Sequence, residues 1–193
     1  WYYIDRQGDN LMMGNYTDIH CHLLYKTDDG AIDEKEMFRM LDMAYKSGTR
    51  RICATPHFNN VLWHDNKNAG DEALAKLKTY AAGKYPDMSL LIGNELFYCE
   101  SAIDFLNRGE CRTLNGSRYV LVDFHFGTHY FEIRNALLGL VNSGYIPVFA
   151  HTERYYCITS PLKQLKELRE FGIIIQINST SLCGGWGKAL QKK

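Results

Sequence analysis

Polar side chains able to grip a divalent cation recur along this chain, each at the end of a short apolar run. The first are His20 and His22, in Asp18-Ile19-His20-Cys21-His22. Residues spaced i, i+2 on an extended backbone point to one side. Two imidazoles on one side suit Zn, Mn, Fe and similar ions. A lone His-x-His carries little weight, because most such pairs are ordinary core or surface residues. Here the pattern repeats. His57 follows Ala54-Thr55-Pro56, Glu95 follows Ile92-Gly93-Asn94, Asp123 follows Tyr119–Val122, and His151 follows Pro147–Ala150. A carboxylate such as Glu95 can bridge two cations, which an imidazole nitrogen does not readily do. Asp123 directly after a buried run costs free energy unless it is paired or ligating. Asp29, in Asp28-Asp29-Gly30, is a further oxygen donor, although the same three residues also read as a simple turn. Glu153 and Arg154 read equally well as a surface ion pair. His64, His125 and His129 lack placement after an apolar run and are read as non-ligands.

These residues need elements to hold them at strand ends. The apolar runs predict strands at Tyr16–Cys21, Arg51–Thr55, Leu90–Gly93, Tyr119–Val122, Ile146–Ala150 and Ile173–Ile177. Their nearly continuous apolar character is that of parallel strands covered on both faces. Helical patterns lie between them. Asp33 and Glu36 form a capping-box-like pair before Met37, Met40, Leu41 and Ala44, and Gly48 sits at the C′ position. Asp71–Lys84 and Ser101–Arg108 follow, then Phe131–Ser143 ending at Gly144. Ser160-Pro161 opens a last helix whose apolar face is Leu162, Leu165, Leu168 and Phe171, ended by Gly172.

Strand–helix alternation gives an α/β protein. A doubly wound sheet usually announces a Gly-rich phosphate turn after its first strand, whereas this first strand ends in His-x-His. A barrel gathers residues from the C-terminal ends of many strands into one site, which favours a distorted (β/α) barrel. Six strands fall short of the usual eight, so the barrel is expected to lack its last strand–helix units. Residues 16–193 are read as this barrel domain, C-terminally incomplete, and residues 1–15 as an N-terminal extension.

The chain has 193 residues, 46% hydrophobic and 23% charged, the balance of an ordinary globular domain. The formal net charge is zero, which argues against nucleic-acid binding through a broad basic surface. No apolar run approaches the ~18 residues of a membrane span, and residues 1–13 lack the layout of a secretory signal. Six scattered cysteines with no Cys-x-x-Cys pair fit a reducing cytoplasm. No cysteine has an arginine six positions later, so thiolate-nucleophile phosphatase chemistry has no phosphate loop here.

Together the chain resembles the PHP-domain protein-tyrosine phosphatases of bacterial capsule and exopolysaccharide operons, the CpsB/YwqE type. The matching motifs are Asp-Ile-His-Cys-His at 18–22, Asp-Asp-Gly-Ala at 28–31, Ala-Thr-Pro-His at 54–57, Gly-Asn-Glu at 93–95 and Ala-His-x-Glu-Arg-Tyr at 150–155. Gln176-Ile-Asn178, Ser181-Leu182 and Gly187-Lys188 add a weaker match. The resemblance implies a distorted barrel holding up to three divalent ions, commonly manganese, with iron or zinc as alternatives. It implies that His20, His22 and Glu95 bind one ion, that Glu95 is shared with a second bound by Asp123 and His151, and that Asp29 and His57 serve a third. Arg154 matches the arginine that holds the substrate phosphate. Two departures stand out. The family has glutamate at the position of Asp123 and proline at that of Thr152. It also has a late Asp-x-His and a second phosphate-binding arginine, which this sequence does not contain.

The expected activity is metal-assisted hydrolysis of a phosphotyrosine ester. Clustered cations lower the pKa of a bound water, and Arg154 offers two parallel N–H donors to the phosphate. The resemblance points to the tyrosine-rich tail of a cytoplasmic bacterial autokinase as substrate. The alternatives are another PHP phosphoesterase, of the histidinol-phosphate type, and a catalytically incomplete domain that binds metal or a partner.

Overall fold

The computed structural model describes residues 15–59, 66–159 and 162–185. The N-terminal extension expected over 1–15 therefore lies, apart from Asn15, outside the described residues, as do His64, Ser160-Pro161 and Gly187-Lys188. Two compact units divide the chain at Asn94 and Glu95.

The first unit contains β1 (Tyr16–Cys21), α1 (Glu34–Lys46), β2 (Thr49–Ala54), β3 (His57–Phe58), α2 (Lys67–Lys84) and β4 (Ser89–Ile92). β1, β2 and β4 form a parallel sheet with β2 in the middle, in register Asp18 to Ile52 and Ile52 to Leu90. The central position explains why Ile52, Cys53 and Ala54 are buried in succession. Met37 and Leu41 of α1 and Leu74, Leu77 and Ala81 of α2 fill one core with Ile52, Ala54 and Leu90. Leu23 and Leu24, in the β1–α1 connection, enter the same core and so anchor the loop that carries Asp28-Asp29-Gly30.

Local sequence sets the helix ends as expected. Asp33 Oδ1 accepts from Glu36 N at 2.8 Å, and Glu36 Oε2 accepts in return from Ile32 N at 3.0 Å. Gly48 takes φ 95°, the left-handed region that ends α1 without a Cβ penalty. A polar clamp joins the helices. Asp42 of α1 accepts from Tyr80 and Lys84 of α2 and from Tyr85 beyond it. Burial would raise its carboxyl, but these donors, Lys84 first, outweigh it and hold the group below its ordinary range.

The second unit contains β5 (Glu95–Phe97), α3 (Ala102–Asn107), β6 (Tyr119–Asp123), α4 (Tyr130–Asn142), β7 (Ile146–Phe149), α5 (Tyr156–Thr159), α6 (Lys163–Glu170), β8 (Ile174–Ile175) and α7 (Ser179–Leu182). Its strands run parallel in the order β5-β6-β7-β8, in register Phe97 to Asp123, Val122 to Phe149 and Phe149 to Ile175. Val120, Leu121 and Val122 of β6 are fully buried. Tyr130 and Arg134 of α4 both bond Glu167 of α6, at 2.7 and 2.6 Å.

The parallel α/β reading holds, with three refinements. First, β3 and β5 were not foreseen. The chain breaks after β2 at Thr55-Pro56 and after β4 at Gly93-Asn94, then resumes as strands of two and three residues, too short to show periodicity. Pro56 has no N–H to donate, and Asn94 Nδ2 bonds its carbonyl at 3.0 Å. Secondly, β8 is shorter than the expected 173–177, and Ile174 and Ile177 are exposed, as suits the end of a sheet order. Thirdly, of the apolar face expected for α6 only Leu168 is fully buried. Leu162 is exposed, and Phe171 packs under the Arg134 guanidinium, 4.9 Å from its ring.

Leu77 is wholly buried in the first unit's core. Leu77→Ala should remove about 2–5 kcal/mol of stability, read as a lower urea midpoint at an unchanged slope. A loss under about 1 kcal/mol would mean that α2 repacks to close the cavity.

Candidate metal centre

In the first unit, His20 and His22 leave the end of β1 and bring their Nε2 atoms within 3.2 Å of each other. The i, i+2 spacing thus does what extended backbone requires. Asp18, in the same motif, accepts from His20 N at 3.0 Å. Burial pushes its carboxyl up, opposed by that bond and by the two imidazoles.

The turn at Asp28-Asp29-Gly30 divides its two carboxylates. The Asp28 side chain is wholly enclosed, whereas that of Asp29 is 63% exposed. Asp28 Oδ2 meets His22 Nδ1 at 2.7 Å and accepts from His57 N at 2.9 Å. Its Oδ1 accepts from Gly30 N at 3.1 Å. Burial would raise this carboxyl, but the His22 bond and charge and the backbone donors hold it below its ordinary range. Asp28 therefore fixes the proton of His22 on Nδ1 and turns Nε2 outward. Metal-binding histidines are oriented in this way by a carboxylate behind the ring. Asp29 Oδ1 lies 3.6 Å from His57 Nε2. A Cβ on Gly30 would stand 1.8 Å from the His22 carbonyl oxygen, so only glycine lets the turn close on the strand end. Asn66, just before α2, bonds the carbonyls of His57 and Thr27. His22, Asp28, Asp29 and His57 offer donor atoms all within 4.8 Å of one another.

In the second unit, Glu95 begins β5, Asp123 ends β6 and His151 follows β7. Their exposures are 1%, 7% and 4%. His151 Nε2 lies 2.9 Å from Glu95 Oε1 and 3.6 Å from Asp123 Oδ1, and donor atoms of the three lie within 4.8 Å. Burial and the charge of Glu95 push the Asp123 carboxyl up, against the pull of His151, Tyr155 and Phe124 N. Two buried carboxylates and one imidazole are a donor set suited to a divalent cation, and a cation there would relieve that repulsion. Asp123, one methylene shorter than the glutamate that the resemblance led us to expect there, brings an oxygen to 3.6 Å from His151 Nε2.

Tyr155 and Gln176 hold this cluster, and sequence reasoning gave neither a role. Tyr155 is fully buried and donates to Asp123 Oδ1, while its oxygen accepts from Phe124 N at 2.9 Å. Burial and the Asp123 charge push its phenol up, so it stays a neutral donor. His151 sits at φ 33°, left-handed backbone that costs a β-carbon-bearing residue free energy. Gln176 Oε1 accepts from His151 N at 2.6 Å, and Gln176 O accepts from Thr152 N at 2.9 Å. Both lay inside quoted motifs, but nothing in a sequence says which ring or amide reaches which backbone.

Arg154 is exposed in the 3-10 turn Thr152–Arg154, directly after His151. Glu153 is not the surface residue of an ion pair. It is buried, and its Oε1 accepts from Ser181 Oγ at 2.7 Å and Asn178 N at 3.3 Å. His125 Nδ1 accepts from Gly127 N, and His129 N donates to Glu132.

The fold and site define an α/β protein whose parallel strands end in clustered imidazole and carboxylate donors. A family model described as capsular polysaccharide synthesis, CpsB/CapC, matches residues 16–193, and the chain belongs to that family. Tyrosine-protein phosphatase CpsB of Streptococcus pneumoniae is 32% identical over 162 residues, 84% of this chain and 67% of that protein. Tyrosine-protein phosphatase YwqE of Bacillus subtilis is 36% identical over 175 residues, 90% of this chain and 68% of that one. A crystal structure from work on YwqE and CpsB, described as unique metal-dependent tyrosine phosphatases, matches with a TM-score of 0.81 at 35% identity. It covers 92% of this chain and 72% of the other.

Asp28→Asn keeps the shape of the side chain but removes the charge behind His22. It should weaken Mn²⁺ binding roughly 10–100-fold, measured by calorimetry on chelator-stripped protein. An unchanged affinity would show that the Asp28–His22 bond does not orient a ligand.

Proposed function

We propose that this chain is a metal-dependent protein-tyrosine phosphatase. The observation that carries the reading is the buried Glu95–Asp123–His151 cluster, in a chain 32% and 36% identical to named tyrosine phosphatases. His20, His22, Asp29, His57, Glu95, Asp123 and His151 are the proposed ligands, and manganese is the proposed ion. Bound divalent cations would supply an activated water and neutralise phosphate oxygens as charge shifts.

The chain's own residues do the rest. Asp28 keeps His22 in one tautomer, with Nε2 presented. Tyr155 and Phe124 N hold the Asp123 carboxylate in place, so no reorganisation is needed when charge develops. Gln176 keeps His151 in its strained backbone state. Arg154 is the proposed phosphate clamp, its planar guanidinium matching two phosphate oxygens. Phenolate is a fairly good leaving group, so protonating it is less demanding than for an alkyl ester, and no covalent enzyme intermediate is needed.

The natural substrate is proposed to be the phosphotyrosine tail of a cytoplasmic autokinase, with capsular or exopolysaccharide synthesis as the regulated process. The family description supports the second part. A cytoplasmic setting is supported by six free cysteines; among the described residues no helix is long and apolar enough to cross a membrane. A distorted barrel of the PHP type over residues 16–193 belongs to the same proposal, supported by the likeness to the solved phosphatase structure.

Chelator-stripped protein should not hydrolyse a phosphotyrosine peptide, and Mn²⁺ should restore turnover. His151→Ala should lower kcat/KM by about 10²-fold or more, since a ligand is worth at least a few kcal/mol at the transition state. Activity that survives exhaustive chelation would overturn the metal mechanism. Faster turnover of histidinol phosphate in the same assay would move the substrate assignment to the alternative phosphoesterase.

A further inference from the structure

The loop between β6 and α4 carries an aromatic ring that the core does not use. Phe124 is buried against Phe149 and Tyr98, and Tyr130 is buried at the start of α4, but Phe126 between them is 56% exposed. The loop is fixed rather than loose. Phe124 N is held by Asp123 and Tyr155, Gly127 N donates to His125 Nδ1 at 3.1 Å, and Thr128 N donates to His125 O at 2.9 Å. Cys157 Sγ donates to Thr128 O at 3.4 Å.

That scaffold places the Phe126 ring at the donor cluster. Its centroid lies 6.1 Å from the His151 ring and 5.6 Å from the Tyr155 ring, tilted at 57° and 54° to them. These separations lie within the range of favourable aromatic pairs. A phosphate held by divalent cations at Glu95, Asp123 and His151 would carry its ester group only one oxygen away. A phenyl ring in that ester group would arrive at the height of Phe126, whereas a short alkyl chain would offer it little surface.

Resting on the phosphatase reading above, we propose that Phe126 is a specificity-determining residue, the aromatic wall that receives the phenyl ring of phosphotyrosine. A ring already fixed and exposed beside the cluster needs no rearrangement to pack against the substrate, which limits the entropic cost of binding. The wall selects the aryl group, and the ligand cluster with Arg154 selects the phosphate.

The test measures binding of phenylphosphonate and methylphosphonate to the full Mn²⁺-loaded chain by calorimetry, with phosphotyrosine turnover followed on the same sample. Wild-type protein should prefer the phenyl compound by roughly three- to tenfold, the scale of one aromatic contact. Phe126→Ala should abolish that preference and leave methylphosphonate affinity unchanged, and Phe126→Tyr should retain it. Phe126 is more than half exposed, so the Ala variant should stay folded, with its unfolding temperature lowered by no more than a few degrees through the lost ring contacts to His151 and Tyr155. A phenyl preference that persists in Phe126→Ala, with turnover intact in the wild type, would overturn this proposal alone. Failure of both phosphonates to bind, together with no turnover, would overturn the phosphatase reading and this proposal with it.

Discussion

Two carboxylates almost cut off from water stand against one imidazole in the second unit, and much of that unit's local structure follows from holding them there. Ionised carboxylates in such a position cost several kcal/mol each unless their charge is met. Part of the compensation is built in. His151 lies against Glu95, and Tyr155 with Phe124 N bonds Asp123. The rest is left open, because Asp123 is still pushed up by burial and by Glu95. A site with that residual repulsion binds a cation more strongly than one already neutralised by lysine or arginine. By the same linkage, an ion that binds the folded state and not the unfolded chain adds to its stability.

Meeting that constraint dictates backbone choices. Asp123 and His151 leave the sheet where β6 and β7 end, Glu95 stands at the start of β5, and β6 stays buried from Val120 through Asp123. His151 turns into left-handed backbone at once after β7, which puts its ring beside Glu95. Phe149 O of β7 accepts from Thr152 Oγ1 at 2.8 Å, and Gln176, one residue after β8, supports the turn from the neighbouring strand by bonding His151 N and Thr152 N. β8 is thus needed for the site even though it ligates nothing.

The parallel α/β class, the main strands and the helix caps were legible in the sequence, since apolar runs, Asp33-x-x-Glu36 and Gly48 act over a few residues. The proposed ligands were legible for a related reason: a polar residue ending an apolar run is conspicuous. The supporting contacts were not. Tyr155 reaches Asp123 across 32 positions and Glu153 reaches Ser181 across 28, and no local pattern encodes such pairings. β3 and β5 were missed because two or three residues carry no period. A surface pairing of Glu153 with Arg154 stayed open as one reading, because a charge beside a charge looks solvated until its burial is known.

The two aspartates of the β1–α1 loop show how neighbours of equal chemistry acquire different roles. Sequence reasoning favoured Asp29 as the oxygen donor and gave Asp28 no separate role. The difference arises from Leu23 and Leu24, whose burial draws the loop inward and encloses Asp28 with the backbone N–H groups of Gly30 and His57. A carboxylate surrounded by those donors and by His22 has its lone pairs directed at them, so its contribution is orientation. Asp29, one residue on and largely in water, keeps its oxygens available beside His57 at little desolvation cost. Exchanging the two roles would require burying Asp29 without those backbone donors, at the full cost of an unmet charge. The order Asp28-Asp29-Gly30 is therefore set by which carboxylate the loop encloses, with Gly30 fixing how closely the turn approaches His22.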